Sequence, residues 1–125
     1  MIFGVGTDIV EIKRIESSVN KNNNFITRFF TEAEVEYFKS KRMKANVIAG
    51  NFAAKEAISK AIGTGFRGFF LKDIEVLRDN LGKPFANVSD KLKRIIGEKD
   101  FKLHVSISHS MENATAFAVL EVFSE

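Results

Sequence analysis

A long alanine-rich helix in the middle of the chain is the feature that most constrains the fold. Helical periodicity predicts this helix over Ala45–Ile62, and Gly63 follows it as a natural C-terminal stop. One face carries an apolar stripe, formed by Val47, Ala54, Ile58 and Ala61. The opposite face carries Phe52, Glu56, Ser59 and Lys60. We therefore expect the apolar stripe to pack inward and the polar face to meet solvent or a ligand.

The segments around this helix alternate between strand-like and helical patterns. Predicted strands span residues 2–10, 73–78, 85–88, 101–108 and 114–123, and the last two form an antiparallel hairpin. Further helices are predicted over residues 11–19, 31–41 and 89–97, with a short helical turn over residues 25–30. Thr31 and Glu34 match a capping box, and Ser89 matches an N-cap. This order predicts an α+β fold in which helices cover one face of a single antiparallel sheet.

The length and composition are typical of one globular domain. With 125 residues and no linker, repeat or low-complexity tract, the chain is predicted to form a single domain over residues 1–125. It contains no cysteine, which excludes disulfides and thiolate metal sites. Neither a secretory leader nor a membrane span is recognisable, so a soluble cytoplasmic protein is expected. Thirteen phenylalanines without any tryptophan favour a core and a subunit interface over a base-stacking surface.

Positive charge is concentrated in two segments of the chain. The net charge is only +3, but residues 13–28 carry four basic side chains against one acid. Residues 39–60 carry six basic side chains against one acid. Such local excess suits an acidic protein partner or a polyphosphate ligand. An ordinary solvated surface explains the same distribution equally well.

Two carboxylates, Asp8 and Glu56, are the candidates for a magnesium site. Mg²⁺ typically takes one or two protein carboxylates and completes its octahedron with water and substrate phosphate. Lys60, one turn after Glu56, is then a candidate phosphate contact. Each residue also has an ordinary structural interpretation. Asp8 could cap the helix that follows it, and Glu56 with Lys60 could form a solvated pair contributing a few tenths of a kcal/mol.

A histidine lies among hydroxyl side chains at the end of a predicted strand. His109 follows Ser106-Ile107-Ser108 and precedes Ser110. A nucleophilic serine would need a Gly-x-Ser-x-Gly elbow, which the sequence lacks. His109 is therefore interpreted as a phosphate or hydroxyl contact, and His104 as structural. The turn Gly63-Thr64-Gly65 lacks the Gly-Lys-Ser/Thr of a phosphate-binding loop, so on its own it indicates only a helix stop.

Five motifs in order along the chain carry a family resemblance. They are Gly6-Thr7-Asp8-Ile9-Val10-Glu11 with Arg14, Arg28-Phe29-Phe30-Thr31-Glu32, Phe52-Ala53-Ala54-Lys55-Glu56-Ala57 with Ser59-Lys60 and Gly63-Thr64-Gly65, Gly82-Lys83-Pro84, and Val105-Ser106-Ile107-Ser108-His109-Ser110. In this combination the chain resembles the bacterial holo-[acyl-carrier-protein] synthases of the 4′-phosphopantetheinyl transferase superfamily. The resemblance covers essentially the whole chain. One departure is Asn51, at a position that is often basic or a large aromatic in that family.

The resemblance implies an activity and a role for each matched residue. Enzymes of this family transfer 4′-phosphopantetheine from coenzyme A to a serine of apo acyl carrier protein and release adenosine 3′,5′-bisphosphate. Asp8 and Glu56 match the magnesium ligands, and together with Lys60, which meets the phosphate, they are the implied catalytic set. The positions that match the lining of the coenzyme A site are Lys60, Gly63, Gly65, Pro84 and His109. The positions that match basic contacts to the acidic carrier helix are Arg14 and Arg28.

The resemblance also implies a cellular context and a quaternary structure. It indicates a cytoplasmic enzyme of fatty acid biosynthesis and lipid metabolism, with no nucleic-acid or membrane partner. It further implies a homotrimer in which each active site lies at a junction of two subunits. Two alternatives are a nucleotide- or nucleic-acid-binding module that uses the basic segments, and an inactive trimeric scaffold. Loss of transfer in Asp8→Ala and Glu56→Ala, with the fold kept, would separate the enzyme from both.

Overall fold

The computed structural model describes residues 1–63, 68–97 and 100–123, and its elements follow the predicted α+β order. The strands are β1 (Ile2–Glu11), β2 (Ile74–Arg78), β3 (Pro84–Val88), β4 (Phe101–His109) and β5 (Asn113–Val122). The helices are α1 (Ile12–Lys21), α2 (Phe25–Phe29), α3 (Glu32–Ser40), α4 (Ala45–Ile62) and α5 (Asp90–Ile96), with a short 3₁₀ turn over Leu71–Asp73. Every predicted strand and helix is present, with small shifts at the ends.

The described strands form two antiparallel sheets rather than the single sheet expected. β5 lies between β1 and β4 in a three-stranded sheet, and the register pairs Asp8 with Ala116 and His109 with Ala114. β2 and β3 pair only with each other, as a hairpin that joins Arg78 to Pro84. The turn between β2 and β3 fixes their mutual pairing locally, whereas no local signal decides whether a hairpin joins another sheet.

The central helix α4 is buried on nearly all sides. It packs on the inner face of the three-stranded sheet and is covered from the other side by α1 and by β2. A helix enclosed in this way is expected to be apolar around most of its circumference. Ser59 was placed on the polar face by periodicity, but it is buried, and its Oγ donates to the Lys55 carbonyl oxygen at 3.0 Å. That bond satisfies the hydroxyl inside the helix, so serine is tolerated there.

Two glycines in β1 allow α4 to lie directly on the strand. A Cβ atom at Gly4 would overlap the carbonyl oxygen of Ala61, and one at Gly6 would overlap the carbonyl oxygen of Ala57. The helix backbone therefore occupies the space that side chains at positions 4 and 6 would fill. This close approach brings the last turns of α4, with Glu56 and Lys60, against the middle of β1.

Several phenylalanines pack into an aromatic cluster, and another, Phe117, lies on an exposed face. Phe25, Phe29 and Phe52 contact one another with ring centroids 5.1 to 5.9 Å apart, and Phe30 contacts Phe38 at 4.9 Å. The expected role of phenylalanine in the core is confirmed for this cluster. The outer face of the three-stranded sheet, away from α4, exposes Val5, Ile9 and Phe117.

Candidate active site

Asp8 lies within β1 and presents a carboxylate that is only 16% exposed. Its Oδ1 accepts from Lys60 Nζ at 3.3 Å, while its Oδ2 is buried and has no hydrogen-bond partner among the described residues. The alternative role as a helix cap is wrong, because β1 continues to Glu11 and the residue that precedes α1 is Glu11, which makes no side-chain cap. Burial of an oxygen without a donor is costly, so Asp8 suits a bound cation.

Glu56 faces Asp8 from the adjoining surface of α4. Burial raises the pKa of Glu56 above its usual 4.5, the negative charge of Asp8 raises it further, and Lys60 lowers it in part. The two carboxylates are thus close enough to repel each other, as the sequence interpretation required. In the described structure Lys60 pairs with Asp8 rather than with Glu56, and its Nζ also donates to the Thr7 carbonyl oxygen at 2.9 Å. The solvated Glu56–Lys60 pair is therefore not the arrangement that forms.

The donor set at this point fits a divalent hard cation. It consists of two carboxylates, one carrying a buried oxygen without a donor and the other a raised pKa. Within the described ranges no group of three or more His, Cys, Asp or Glu side chains converges. Two protein carboxylates with the remaining positions left to water and phosphate are the usual arrangement for Mg²⁺, whereas Ca²⁺ and Zn²⁺ take more protein ligands.

A cleft of about 680 Å³ leads away from the carboxylate pair. Its wall runs from Asp8 and Glu56 past the aromatic rings of Phe52, Phe29 and Phe25. Arg14 also lines the cleft, and Arg28, which is not a lining residue, has its guanidinium 5.2 Å from the centroid of the Phe29 ring. Arg14 is therefore brought to the same cleft as the carboxylate pair, whereas Arg28 is linked to the cleft through its contact with Phe29.

Pro84 and His109 lie together in a different place. They line a cavity of about 230 Å³, formed where the β2–β3 hairpin meets the end of β4 and the first turns of α4. His109 Nε2 lies 3.2 Å from Asn46 Nδ2 in that cavity. Within one chain the described structure thus separates these two residues from the carboxylate pair. Their expected roles at a shared ligand remain predictions.

The glycine positions of the expected coenzyme A site are only partly described. Gly63 ends α4 in the left-handed conformation, with φ of +84°, and its N–H donates to the Ser59 carbonyl oxygen at 3.1 Å. The helix-stop interpretation of Gly63 is confirmed, and its contact with a ligand stays a prediction. Gly65 lies outside the described residues.

Sequence reasoning missed a buried polar network at the middle of α4. Glu34 and Lys55 form an ion pair at zero exposure, and Glu34 also accepts from the backbone N–H groups of Val76 and Thr31, each at 3.0 Å. Asn51, the departure from the family pattern, is turned into this network and donates to the Val76 carbonyl oxygen at 2.9 Å. Lys55 lies seven residues from both Ile48 and Ile62, so the sequence places it on an apolar stripe of the helix. That spacing could have indicated that its side chain is buried.

Comparisons with known proteins identify the family of the chain. Residues 4–119 match the 4′-phosphopantetheinyl transferase superfamily. The holo-[acyl-carrier-protein] synthase of Clostridium beijerinckii is 64% identical over 121 residues, covering 97% of this chain and 98% of the relative. The expected fold class, α+β of the phosphopantetheinyl transferase type, is confirmed by solved structures of such synthases. The Bacillus anthracis structure, in complex with CoA (3′,5′-ADP), has a TM-score of 0.82 at 41% identity, covering 98% of this chain and 99% of its own.

A second solved structure extends the same match to a more distant relative. The Helicobacter pylori holo-[acyl-carrier-protein] synthase, in complex with coenzyme A, has a TM-score of 0.83 at 33% identity, covering 94% of this chain and 99% of its own. Separately, no helix in the described part of the chain has the length and apolar character of a membrane span. The chain belongs to the 4′-phosphopantetheinyl transferase superfamily, among its holo-[acyl-carrier-protein] synthases.

Proposed function

We propose that the protein transfers 4′-phosphopantetheine from coenzyme A to a serine of apo acyl carrier protein, with Mg²⁺, and releases adenosine 3′,5′-bisphosphate. The observation that carries the proposal is the pairing of Asp8 with Glu56 beside Lys60, at one end of an aromatic cleft. The relatives above are transferases, and they give no support to a nucleic-acid-binding module. We place the reaction in the cytoplasm and in fatty acid biosynthesis.

Asp8 and Glu56 would hold the metal, which when bound polarises phosphate oxygens and offsets their charge. Lys60 is 56% exposed, with its ammonium already at the carboxylate pair. A lysine on a flexible stem can therefore meet a phosphate that enters beside Asp8. Its positive charge would stabilise the negative charge that develops on the phosphate during transfer.

The reaction exchanges one phosphorus–oxygen bond for another. The serine oxygen forms a bond to the phosphorus that carries pantetheine, and the bond from that phosphorus to the bridging oxygen breaks. The bridging oxygen leaves with adenosine 3′,5′-bisphosphate, and the serine proton passes to a base. Two candidates for that base are a carboxylate at the site, such as Glu56, and a solvent molecule beside the metal position.

The cleft is suited to an acidic helix presented by the carrier. Its lining combines three aromatic rings with the basic Arg14, and Arg28 lies against one of those rings, Phe29. An acidic helix could place its apolar side chains on the rings of Phe25, Phe29 and Phe52 while its charges meet the arginines. Such rim charges act chiefly on the rate of association.

We further propose that the active form is a homotrimer with shared sites. Pro84 and His109 lie away from the carboxylate pair within one chain, so a single coenzyme A would meet both groups at a junction between copies. The exposed side chains Val5, Ile9 and Phe117 form an apolar face on the three-stranded sheet that a second copy would cover. Light scattering measures the assembly directly, and a monomer at assay concentrations would contradict it.

Subunit mixing tests whether sites are shared. Glu56→Ala and His109→Ala are each expected to be inactive as pure assemblies. If sites combine residues of two copies, random mixing of the two variants restores about a quarter of the sites. A mixture that stays inactive after verified subunit exchange contradicts sharing, whereas the chemistry at Asp8 and Glu56 is unaffected by that outcome.

Mass spectrometry of the carrier tests the activity itself. Apo acyl carrier protein incubated with the protein, coenzyme A and Mg²⁺ is expected to gain the mass of phosphopantetheine on one serine. Asp8→Ala and Glu56→Ala are expected to abolish the gain while circular dichroism shows a retained fold. Glu16→Ala, at an exposed carboxylate on α1, is the matched control. A carrier mass unchanged with the wild-type protein at saturating substrate refutes the proposal.

A further inference from the structure

The ammonium of Lys60 is tied to two neighbouring residues of β1. Its Nζ donates to the Thr7 carbonyl oxygen at 2.9 Å and to Asp8 Oδ1 at 3.3 Å. A Cβ atom at Gly6 would come within 2.9 Å of the Lys60 Cβ, so glycine at this position gives the lysine stem room to cross the strand. Three consecutive residues of β1 therefore provide both the room and the acceptors for this ammonium.

The ion pair with Lys60 leaves the Asp8 carboxylate only half satisfied. Its Oδ2 is buried, and no donor among the described residues reaches it. The Asp8 side chain is 16% exposed, whereas that of Lys60 is 56% exposed. A lysine that leaves the pair is readily hydrated, but the largely buried carboxylate that it leaves behind has no partner, which is costly. Departure of the ammonium is therefore tied to the arrival of another positive charge at Asp8.

The charges at this point accommodate the ammonium or a divalent cation, but not both without an added anion. Burial and then the charge of Asp8 raise the pKa of Glu56, and the charge of Lys60 lowers it in part, so the three charges act on one another. The ammonium offsets one of the two negative charges. A divalent cation would offset both, so an ammonium kept in place beside it would leave the site with excess positive charge. A phosphate group beside Lys60 would remove that excess.

These contacts give Lys60 a role that precedes the reaction, and this step rests on the proposed function. We propose that Lys60 is a built-in competitor of Mg²⁺ for Asp8, and that a phosphate of coenzyme A releases Asp8 to the metal by drawing the ammonium away. The free protein then holds Mg²⁺ weakly, because the ammonium must first be displaced. Metal and donor bind together, since each raises the affinity for the other by the same factor.

Metal binding by variants of Lys60 tests the competition without any transfer reaction. The probe is Mn²⁺, which prefers oxygen ligands as Mg²⁺ does, and electron paramagnetic resonance counts the unbound ion at fixed pH. Without coenzyme A, Lys60→Met is expected to bind the ion about 10-fold more tightly than wild type, the size of one hydrogen bond between charged groups. Lys60→Gln serves if Lys60→Met fails to fold. Lys60→Arg keeps the charge and is expected to stay within about 3-fold of wild type.

Two control variants separate direct competition from the general charge of the cleft. Arg14 lines the same cleft, but Asp8 pairs with Lys60 rather than with Arg14. Arg14→Gln is therefore expected to change Mn²⁺ affinity by less than about 3-fold at 0.15 M salt, where separated charges are largely screened. Asp8→Asn is expected to abolish the binding, which locates the counted ion at this site. An equal gain in Arg14→Gln and Lys60→Met, or in Lys60→Arg and Lys60→Met, overturns the inference.

Saturating coenzyme A tests the release of Asp8. It should tighten Mn²⁺ binding in wild type, and in Lys60→Met the tightening should be smaller by about the same 10-fold, because no ammonium is left to draw away. Equal tightening in both proteins, or equal affinity of both without coenzyme A, overturns the inference, while transfer to the carrier by wild type still supports the proposed function. Tighter binding in Lys60→Met, without transfer by wild type, supports the inference and refutes the proposed function.

Discussion

The buried pair of Lys55 and Glu34 provides the sharpest quantitative prediction. Lys55 directly precedes Glu56 in the sequence, yet both members of the pair have zero side-chain exposure. Burial lowers the pKa of Lys55, and the carboxylate of Glu34 opposes that change. The ammonium also lies 4.8 Å from the Phe30 ring centroid. We predict that Lys55→Met destabilises the fold and leaves the coenzyme A affinity of the folded protein unchanged.

The magnitude follows from what remains around Glu34 after the substitution. The carboxylate keeps three neutral donors, which are the N–H groups of Thr31 and Val76 and, at 3.3 Å, the amide of Asn51. Removal of one partner from a buried ion pair costs about 3–5 kcal/mol. Whole domains are stable by only about 5–15 kcal/mol, so the melting temperature is expected to fall on the order of 10–20 °C.

A double-mutant cycle separates the pair from the rest of the network. Lys55→Met, Glu34→Gln and the combined variant are unfolded in urea at fixed pH. Because the combined variant buries neither charge, its loss should be smaller than the sum of the single losses by about 2 kcal/mol or more. Lys93→Met, in an exposed pair with Asp90, is the control and should cost less than about 1 kcal/mol. Additive losses, or a Lys55→Met loss equal to that of the control, would refute the reasoning.

Three further predictions concern the surroundings of Asp8. Gly6→Ala is expected to lower the free energy of unfolding, measured in urea, by about 3 kcal/mol or more, because the added Cβ overlaps the α4 backbone. Gly97→Ala is the control: it is strained only by the φ of +76° and should cost about 1–2 kcal/mol. Equal losses of stability in the two variants contradict the close approach of α4 to β1. In EDTA, Glu56→Gln should melt above wild type at pH 7. The pKa of Glu56 is raised in the folded state, so the stability that its protonated form contributes is lost as the pH rises through that folded-state pKa. The stability gained by Glu56→Gln should therefore vanish below about pH 4.5. A gain that does not depend on pH, or an equal gain in Glu16→Gln, contradicts this prediction. Mg²⁺ at 100 times its dissociation constant should stabilise wild type by about 2.7 kcal/mol but not Asp8→Asn, and an equal shift in both excludes Asp8 as a ligand.

Features encoded by a few adjacent residues were predictable. Thr31 and Glu34 form both bonds of the capping box, with the Glu34 N–H donating to Thr31 Oγ1 at 3.3 Å and the Thr31 N–H donating to Glu34 Oε1 at 3.0 Å. Ser89 Oγ accepts from the Leu92 N–H at 3.2 Å, as its N-cap assignment predicted. These bonds depend on side chains three residues apart in sequence, so a short pattern contains both partners.

Features that depend on distant partners were not predictable in the same way. The pairing of β1 with β5 joins residues more than 100 positions apart, and a pattern of apolar residues near the N-terminus carries no record of that register. The division into two sheets has the same cause, because the partner of β3 is chosen by packing across the chain rather than by its five residues.

Glu34 shows most clearly why a correct local assignment can leave a site residue unexplained. The capping box uses one of its carboxylate oxygens for the Thr31 N–H, and that bond is visible in the sequence. The same carboxylate also holds Lys55 on α4 and the Val76 N–H on β2. Because this carboxylate contacts both elements, it joins the strand that ends beside the cavity of Pro84 and His109 to the helix that carries Glu56. A cap would have been equally well made by an exposed glutamate, so the burial of Glu34 is explained by its contacts with β2 and α4.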